Sequence, residues 1–267
     1  MIAPKRESVL KLLLIGTIMK REYINEFAWS KIFEFLQRRK EIYVGSQENC
    51  KKFAEGIYWM SRTGAQWREL PDCYGNWNSV YKRFNSWSKK KIWTDLLNFC
   101  KENPDLEYIM IDATIVRAHA CAAGYGEQAL EGLGRSRGGF STKVHAKVDA
   151  LGNPLQFIVT PGQTSEVTQA QFLLEDVFNS HVIADKAYGS SAIRNQIRTQ
   201  NNKDVIPSKL NSLEPVEYDK YLYKERHIIE CFFSKIKYFR RIFSRFDKSA
   251  RNYLAFLCFV GVCIWLR

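Results

Sequence analysis

The chain has 267 residues, and its 40 Lys and Arg against 28 Asp and Glu give a formal net charge of +12. A hydrophobic content of 46%, with only 15 Gly and 7 Pro, excludes a disordered, collagenous or low-complexity chain. The charge is uneven: residues 1–104 carry +8, residues 105–208 carry −2 and residues 209–267 carry +6. Two basic flanks around a slightly acidic centre favour a polyanionic partner over a merely basic globular protein.

Cysteine usage and apolar stretches favour a cytosolic protein without a membrane anchor. The seven cysteines form no CxxC pair and no Cys/His ligand spacing, which indicates reduced thiols and no structural zinc. An apolar run near the start resembles a signal peptide, but Lys11 interrupts it and no small-residue cleavage site follows. The apolar stretch 253–266 is shorter than the roughly 20 residues that span a bilayer, so it predicts a buried core helix.

Helical spacing of apolar residues dominates the first part of the chain. It predicts three helices, at about 27–36, 50–62 and from 77 onwards. We interpret residues 23–103 as a small all-helical DNA-binding domain, preceded by an atypical extension over residues 1–22.

Strands and helices alternate after Pro104. The predicted elements are a strand at 106–115, a loop at 118–139, a hairpin of 141–150 with 155–160, helices at 166–179 and 190–200, strands at 181–184 and 204–207, and a long helix at 222–241. This order predicts an α/β fold over residues 104–267, a mixed sheet covered by helices as in ribonuclease-H-like domains. The order alone does not assign a function.

Two acidic residues lie where a buried strand tolerates charge poorly. Asp112 interrupts the apolar run YIMIDATI, and a charge there needs a partner or a metal ion. Asp185 follows the predicted strand HVIA, where its carboxylate can point into a cleft. The alternative for each is an ordinary turn or helix cap.

A third acid, Glu230, lies on the predicted helix 222–241. On a helical wheel of ~100° per residue, one side of this helix collects Tyr223, Arg226, Glu230, Ser234, Lys237 and Arg241. The alternative is a solvated face with spaced ion pairs such as Arg226 with Glu230. A lone acid among donors that suit phosphate favours a functional site instead.

The three acids suit phosphodiester cleavage by two divalent metal ions. Such ions lie about 3.5–4 Å apart; one activates the attacking hydroxyl and the other stabilises the leaving oxygen. Mg²⁺ prefers oxygen ligands and keeps several waters, so two or three carboxylates from different elements suffice. Basic neighbours would hold the DNA backbone beside the metal ions.

Several motifs, in one order, resemble those of bacterial insertion-sequence DDE transposases. Tyr223, Arg226, Glu230 and Lys237 match the Tyr-Arg-Glu-Lys signature of the insertion-sequence-four superfamily, with two, three and six residues between them. Further segments are similar to the insertion-sequence-five-like branch: IDATIVRAHA around Asp112, the block 134–163, ADKAYGS around Asp185 and RTGAQWRELP at 62–71. The resemblance covers roughly residues 27–267; Glu166 stands where the family often has Asp, and residues 1–22 match no family segment.

The resemblance implies a ribonuclease-H-like catalytic core in which Asp112, Asp185 and Glu230 bind two Mg²⁺ ions, with Mn²⁺ as a substitute. It implies a transposase that binds the terminal inverted repeats of its element, cleaves the ends and joins them to target DNA, acting as a homodimer or higher oligomer on double-stranded DNA. The rivals are a degenerate copy that binds DNA without chemistry and a host nuclease on the same fold.

The remaining candidates are basic residues that would contact DNA. Tyr223, Arg226 and Lys237 would lie near the cleaved phosphate by resemblance. The other predicted contacts are Arg241 on the same stripe, Arg135, Arg137 and Lys143 in and after the run GRSRGG, and Arg62 and Arg68 in the N-terminal segment. His119 and His145 are expected to be structural or DNA-contacting rather than metal ligands, because the proposed metals prefer oxygen.

Overall fold

The fold begins with a group of four helices. The computed structural model describes residues 23–136, 138–209, 212 and 215–267. The N-terminal helices are α1 (Glu26–Gln37), α2 (Gln47–Thr63), α3 (Trp77–Lys89) and α4 (Ile92–Cys100). The side chains of Asn25, Ser46 and Asn76 accept hydrogen bonds from the first turns of α1, α2 and α3, which fixes where these helices start. The three predicted helices are therefore present, and α4 adds a fourth.

A mixed sheet forms the centre of the molecule. Its strands are β1 (Tyr108–Ala118), β2 (Gly134–Ser136), β3 (Gly139–Val148), β4 (Pro154–Pro161), β5 (His181–Ala184), β6 (Lys203–Val205) and β7 (Ser244–Arg245). β1 is central: it pairs antiparallel with β3 on one edge and parallel with β5 and β7 on the other. β4 and β2 continue the sheet beyond β3, and β6 continues it beyond β5. This arrangement confirms the predicted mixed-sheet, ribonuclease-H-like class.

Helices cover both faces of the sheet. Helices α5 (Val167–Leu173) and α6 (Ser191–Thr199) pack on one face, over a core that includes Ile109, Ile111 and Val182. Helices α7 (His227–Lys237), α8 (Arg240–Phe243) and α9 (Ala250–Trp265) lie on the other. The side chains of β1 lie alternately in the two cores, because successive side chains of a strand point to opposite faces.

The core on the α7 face continues into the N-terminal helices. Phe84 of α3 and Phe256 of α9 have ring centroids 4.4 Å apart, and Trp93 of α4 packs edge-on to Phe259 at 5.4 Å. A single cluster of buried residues includes Trp29, Phe84, Phe256 and parts of the sheet. The division at residues 103 and 104 therefore stays a prediction about domains, and the two parts share one core. The predicted extension 1–22 lies outside the described residues.

Three elements differ from the sequence-based expectations. The helix expected at 166–179 is helical only over Val167–Leu173. The loop expected at 118–139 contains β2, which pairs with the start of β3. The long helix expected at 222–241 begins as a 3₁₀ turn over Leu222–Arg226 and ends at Lys237, because Phe239 adopts an extended backbone with φ −85° and ψ 107°.

The apolar stretch near the end of the chain forms α9, and most of its residues are buried. This confirms the prediction of a core helix. Among the described residues, no helix combines the length and apolar character needed to cross a membrane.

Candidate active site

Asp112 and Asp185 lie side by side where β5 ends. The last residue pair in the parallel register of β1 with β5 is Ile111 opposite Ala184, so the next residues of the two chains are the two aspartates. Met110 and Ile183, two residues earlier, both belong to the core on the α7 face. Because side chains alternate along a strand, Asp112 shares that face, and the register brings Asp185 to its side.

Helix α7 brings Glu230 to the same place through Arg226. The Nη1 atom of Arg226 donates to Oδ2 of Asp112 at 3.2 Å, and its Nη2 atom donates to Oε1 of Glu230. Arg226 is half-buried and Glu230 exposed, whereas Asp112 keeps only 15% of its side chain exposed. One guanidinium therefore bridges the β1 acid and the α7 acid across 118 residues of sequence.

The environment of Asp112 disfavours its ionised form. Burial raises the pKa of Asp112 to about 6, and the charges of Glu166 and Asp185 add to this effect. The hydrogen bond from the Ala113 amide, at 2.8 Å, and the charge of Arg226 oppose it. The charges of Glu166 and Asp185 thus act in the same direction as burial, and a cation bound beside Asp112 would oppose both effects.

Glu166 is a fourth acid in this neighbourhood. It lies directly before α5, and the Nζ atom of Lys143 pairs with its Oε1 at 3.2 Å. The same Nζ donates to the carbonyl of Thr164 at 2.8 Å. Lys143 is only 8% exposed, so the structure corrects the prediction that it contacts DNA: it supports the acid cluster from within the protein.

Tyr188 is a residue that the sequence analysis did not single out. It is fully buried, its hydroxyl has no hydrogen-bond partner among the described residues, and the charges of Asp112, Glu166 and Asp185 all act on it. Burial, followed by these charges, raises its pKa. Its position three residues after Asp185, inside ADKAYGS, is the sequence signal that could have found it.

Tyr223 lies in the 3₁₀ turn that precedes α7, and Lys237 is the last residue of α7, the helix that carries Glu230. The Nζ atom of Lys237 donates to Oγ1 of Thr114, at 2.8 Å, two residues beyond Asp112 on β1. Tyr223 lies beside Arg226, whose guanidinium carbon is 6.0 Å from its ring centroid, and burial raises its pKa. Both residues therefore lie near the carboxylates, and their contact with DNA stays a prediction.

Arg241 points away from this site, and the prediction that it contacts DNA is corrected. It lies beyond the break at Phe239, on α8, and is 3% exposed. Its guanidinium is bound on several sides, by the carboxylate of Asp247 and the carbonyl of Ala65. A helical wheel places Arg241 on the polar stripe only if the helix continues, which it does not.

Three of the other predicted DNA contacts are exposed residues. Arg62 is exposed and donates to the carbonyl of Tyr238 at 3.2 Å. Arg68 is exposed near Trp77, and Arg135 is exposed near Phe140. These three remain available for DNA, whereas Arg137 lies outside the described residues.

The donor set fits a hard divalent cation, although the acids do not converge as they stand. In the described ranges, no three His, Cys, Asp or Glu side chains lie close enough to hold a metal ion. The carboxylates of Asp112 and Glu230 do not converge because the guanidinium of Arg226 occupies the space between them. Carboxylate oxygens are the ligands that Mg²⁺ and Mn²⁺ prefer.

Two family models match the chain, and together they account for most of it. The model described as "Putative transposase of IS4/5 family" matches residues 24–97, which contain α1, α2, α3 and most of α4. The model described as "Transposase DDE domain" matches residues 103–262, which contain the sheet and the carboxylate site.

Two curated relatives are named as putative transposases. The chain is 43% identical over 131 residues to a putative transposase for insertion sequence element IS6501 from Brucella ovis, covering 48% of this chain and 99% of the relative. It is 30% identical over 135 residues to a putative transposase for insertion sequence element IS402 from Burkholderia cepacia, covering 46% of this chain and 61% of the relative.

Solved structures show only distant similarity. A piggyBac transposase synaptic complex with hairpin DNA aligns with a TM-score of 0.39 and 12% identity, covering 72% of this chain and 50% of that chain. The Mos1 strand transfer complex aligns with a TM-score of 0.29 and 12% identity, covering 100% of this chain and 99% of that chain.

Proposed function

The chain belongs to the Transposase DDE domain family, and we propose that Asp112, Asp185 and Glu230 form its catalytic metal site. The observation that carries the proposal is the register of β1 with β5, which sets two acids from distant segments side by side, with Arg226 linking the α7 acid to them. A structural role for the three acids would not require Asp112 and Asp185 to lie side by side, with Arg226 joining Glu230 to Asp112.

Membership in this family implies a divalent metal, and we propose two Mg²⁺ ions, with Mn²⁺ as a substitute. Asp112, Asp185 and Glu230 would hold them. The ions would activate the attacking hydroxyl and stabilise the leaving oxygen of the cleaved phosphodiester. Arg226 would leave Asp112 and Glu230 when a cation binds there, and its guanidinium would then be free for a DNA phosphate, which it can bind at two points.

Residues around the carboxylates orient the site and the DNA strand. Lys237 braces α7 against β1 through Thr114, two residues beyond Asp112, and its ammonium group would bind a phosphate there. Lys143 holds Glu166 beside the cluster and balances its charge. Tyr223 is half-buried and packs beside the guanidinium of Arg226.

The DNA substrates that we propose are the terminal inverted repeats of an insertion sequence and its target DNA. The net charge of +12 favours such a polyanion, and exposed Arg62, Arg68 and Arg135 offer contacts outside the carboxylate site. We propose a homodimer or higher oligomer on DNA, because the two ends must be cut together.

Strand cleavage tests the proposal. Short inverted repeats that bracket the gene supply the end sequence, and the assay follows metal-dependent nicking of a duplex that carries this end. Asp112→Asn and Asp185→Asn are expected to bind the duplex in EDTA as the wild type does but to lose cleavage by 10³-fold or more, ~4 kcal/mol of barrier. Asp72→Asn is the matched control, because Asp72 is an exposed acid of the N-terminal part.

The outcomes separate the rival functions. Cleavage by Asp112→Asn at the wild-type rate would contradict the proposed metal site. Wild-type binding without cleavage at any divalent-metal concentration would indicate a degenerate copy. Nicks without transfer of the cleaved strand into a plasmid would indicate a nuclease that does not join ends.

A further inference from the structure

A groove with aromatic and basic walls lies between α3 and the segment that enters α9. Its volume is about 310 Å³. The residues that line it and carry the argument are Trp67, Tyr81, Lys89, Tyr125, Lys248 and Arg251. We call it the α3–α9 groove; it contains none of the residues assigned to the carboxylate site.

The charge of the groove is positive and largely uncompensated. Asp247 is the acid among the described lining residues, and its carboxylate is already bound by Arg241. Within the described part of the chain, the side-chain ammonium groups of Lys89 and Lys248 have no hydrogen-bond or ion-pair partner, and both residues are exposed. Arg251 has one long contact, with the amide oxygen of Asn85 at 3.4 Å. Three cations thus face one groove without an acid to balance them.

A buried amide at the groove also lacks a partner. Asn252 lines the groove and is 6% exposed, and its Oδ1 atom has no hydrogen bond within the described residues. Buried polar groups without partners are rare, and each calls for a ligand or water to satisfy it. A water molecule can supply the donor that this Oδ1 atom lacks. The cations and aromatic rings of the groove together suit a sugar–phosphate chain better than a simple anion.

The groove lies within reach of a DNA strand bound at the carboxylates. β7 precedes the groove segment and pairs with residues Arg117 and Ala118 at the far end of β1. Six residues of β1 separate Asp112 from Ala118, so the distance along the strand is ~20 Å. One DNA strand advances ~3.4 Å per nucleotide, so the ~20 Å between Asp112 and the β7 end of β1 corresponds to about six nucleotides.

We propose that the α3–α9 groove binds the sugar–phosphate backbone of one DNA strand about six nucleotides from the cleaved bond. Lys89, Lys248 and Arg251 bind phosphates, and the rings of Tyr81 and Tyr125 pack against the sugars. Because the groove is built from both the N-terminal helices and the C-terminal segment, it fixes the DNA relative to both. The proposal rests on the proposed function, since it takes DNA as the substrate.

The salt dependence of DNA binding tests the groove directly. Binding of the full chain to inverted-repeat duplex and to unrelated duplex is measured in EDTA, by fluorescence anisotropy, from about 50 to 200 mM salt. Lys248→Ala/Arg251→Ala is compared with Arg198→Ala/Lys203→Ala, which removes one Arg and one Lys at the exposed surface of α6 and β6. Lys248→Arg/Arg251→Lys keeps both charges.

If the groove binds the DNA sugar–phosphate backbone, removing its cations should affect both duplexes alike. Lys248→Ala/Arg251→Ala should weaken binding about ten- to a hundredfold, equally for both duplexes, and should reduce the slope of log K against log salt by about two. Arg198→Ala/Lys203→Ala and the charge-keeping variant should retain the wild-type slope.

Two results would overturn the proposal. One is a slope and affinity for Lys248→Ala/Arg251→Ala equal to those of Arg198→Ala/Lys203→Ala. The other is a loss confined to the inverted-repeat duplex, which would indicate base reading instead of backbone binding. If the wild type cleaves end DNA while the groove variants behave like the control, the groove assignment alone fails; if the wild type binds no DNA, the proposed function fails with it.

Discussion

Arg241 and Asp247 form a two-point ion pair inside the protein. The Nε–Oδ2 and Nη2–Oδ1 distances are both 3.0 Å, and both residues are less than a tenth exposed. The same guanidinium donates to the carbonyl of Ala65 at 2.9 Å and lies 4.7 Å from the ring centroid of Phe256. One side chain therefore ties the segment after α2 to the start of α9.

The first prediction concerns this pair. Arg241→Ala leaves the Asp247 carboxylate buried without its partner, so the free energy of unfolding should fall by about 3–5 kcal/mol. Arg241→Lys should also destabilise, because an ammonium cannot bind both carboxylate oxygens in the same plane. Urea unfolding followed by tryptophan fluorescence measures the change.

Arg240 supplies the control for that measurement. It is adjacent in sequence but exposed, so Arg240→Ala should change the free energy of unfolding by no more than ~0.5 kcal/mol. Equal effects of the two substitutions would contradict the structural role of Arg241.

The second prediction concerns metal binding without DNA. A ligand that binds only the folded protein raises its stability, by about 2.7 kcal/mol at a hundredfold excess over Kd. Mn²⁺ should therefore raise the melting temperature of the wild type relative to EDTA, and Asp112→Asn and Asp185→Asn should abolish the shift. Asp72→Asn should keep the full shift; if it loses the shift as well, the metal binds elsewhere.

The third prediction concerns Arg226, which competes with a cation for Asp112 and Glu230. Arg226→Gln removes the guanidinium between the two carboxylates, so the affinity of the DNA-free protein for Mn²⁺ should rise about three- to tenfold. Titration calorimetry measures this affinity. The same variant should bind end DNA more weakly, because a phosphate donor is lost.

Lys224→Gln is the control for Arg226→Gln. Lys224 is exposed two residues before Arg226, and within the described part of the chain its side chain forms no hydrogen bond or ion pair with Asp112 or Glu230. An unchanged Mn²⁺ affinity in Arg226→Gln would show that the guanidinium does not occupy the metal position.

The fourth prediction concerns pH and the buried His145. Burial, with the nearby charge of Lys143, lowers the pKa of His145 to about 4. The His145 imidazole takes up a proton near pH 6.5 in the unfolded chain but only near pH 4 in the folded chain. The contribution of His145 to the free energy of unfolding is therefore fully present above about pH 6.5 and is lost as the pH falls towards 4. The His145 contribution to this loss is roughly 3 kcal/mol.

A non-titrating variant isolates this contribution. His145→Gln can keep the hydrogen bond that joins Nε2 to Oγ1 of Thr160 at 2.8 Å, but it takes up no proton. Its free energy of unfolding should therefore fall less steeply than that of the wild type between pH 6.5 and 4.5, whereas His227→Gln, at an exposed site, should follow the wild type. Parallel curves for all three would refute the assignment.

The strands of the sheet could be predicted from the sequence, because the alternation of apolar and polar residues and the turn residues between strands are visible in short segments of sequence. The hairpin of β3 with β4 and the strand HVIA appear where the alternating residues and the LGNP turn indicate them. Asp112 was expected beside Asp185 because it interrupts a central strand and Asp185 follows an adjacent one, and because the family resemblance implied a shared metal site. Their register follows from contacts between distant segments, which no local pattern contains.

The side-chain environments were harder to predict. Helical periodicity assigned Arg241 to the polar stripe, but Phe239 packs into the core in an extended conformation and turns the chain before that residue. Lys143 was expected at the surface, yet the pairing of β3 with both neighbours and the position of Glu166 bury it. Both outcomes depend on tertiary packing, which overrides local pattern.

The shared core also constrains how the chain acquires its structure during synthesis. Helix α9 follows every other described element in sequence, yet it packs against α4, β4 and the N-terminal helices at the centre of the molecule. While the ribosome is still making residues 250–265, the earlier helices lack the partner that buries Phe84 and Trp93. The nascent chain therefore exposes apolar surface until α9 has emerged from the ribosome, so the N-terminal helices cannot complete their core as soon as they are made.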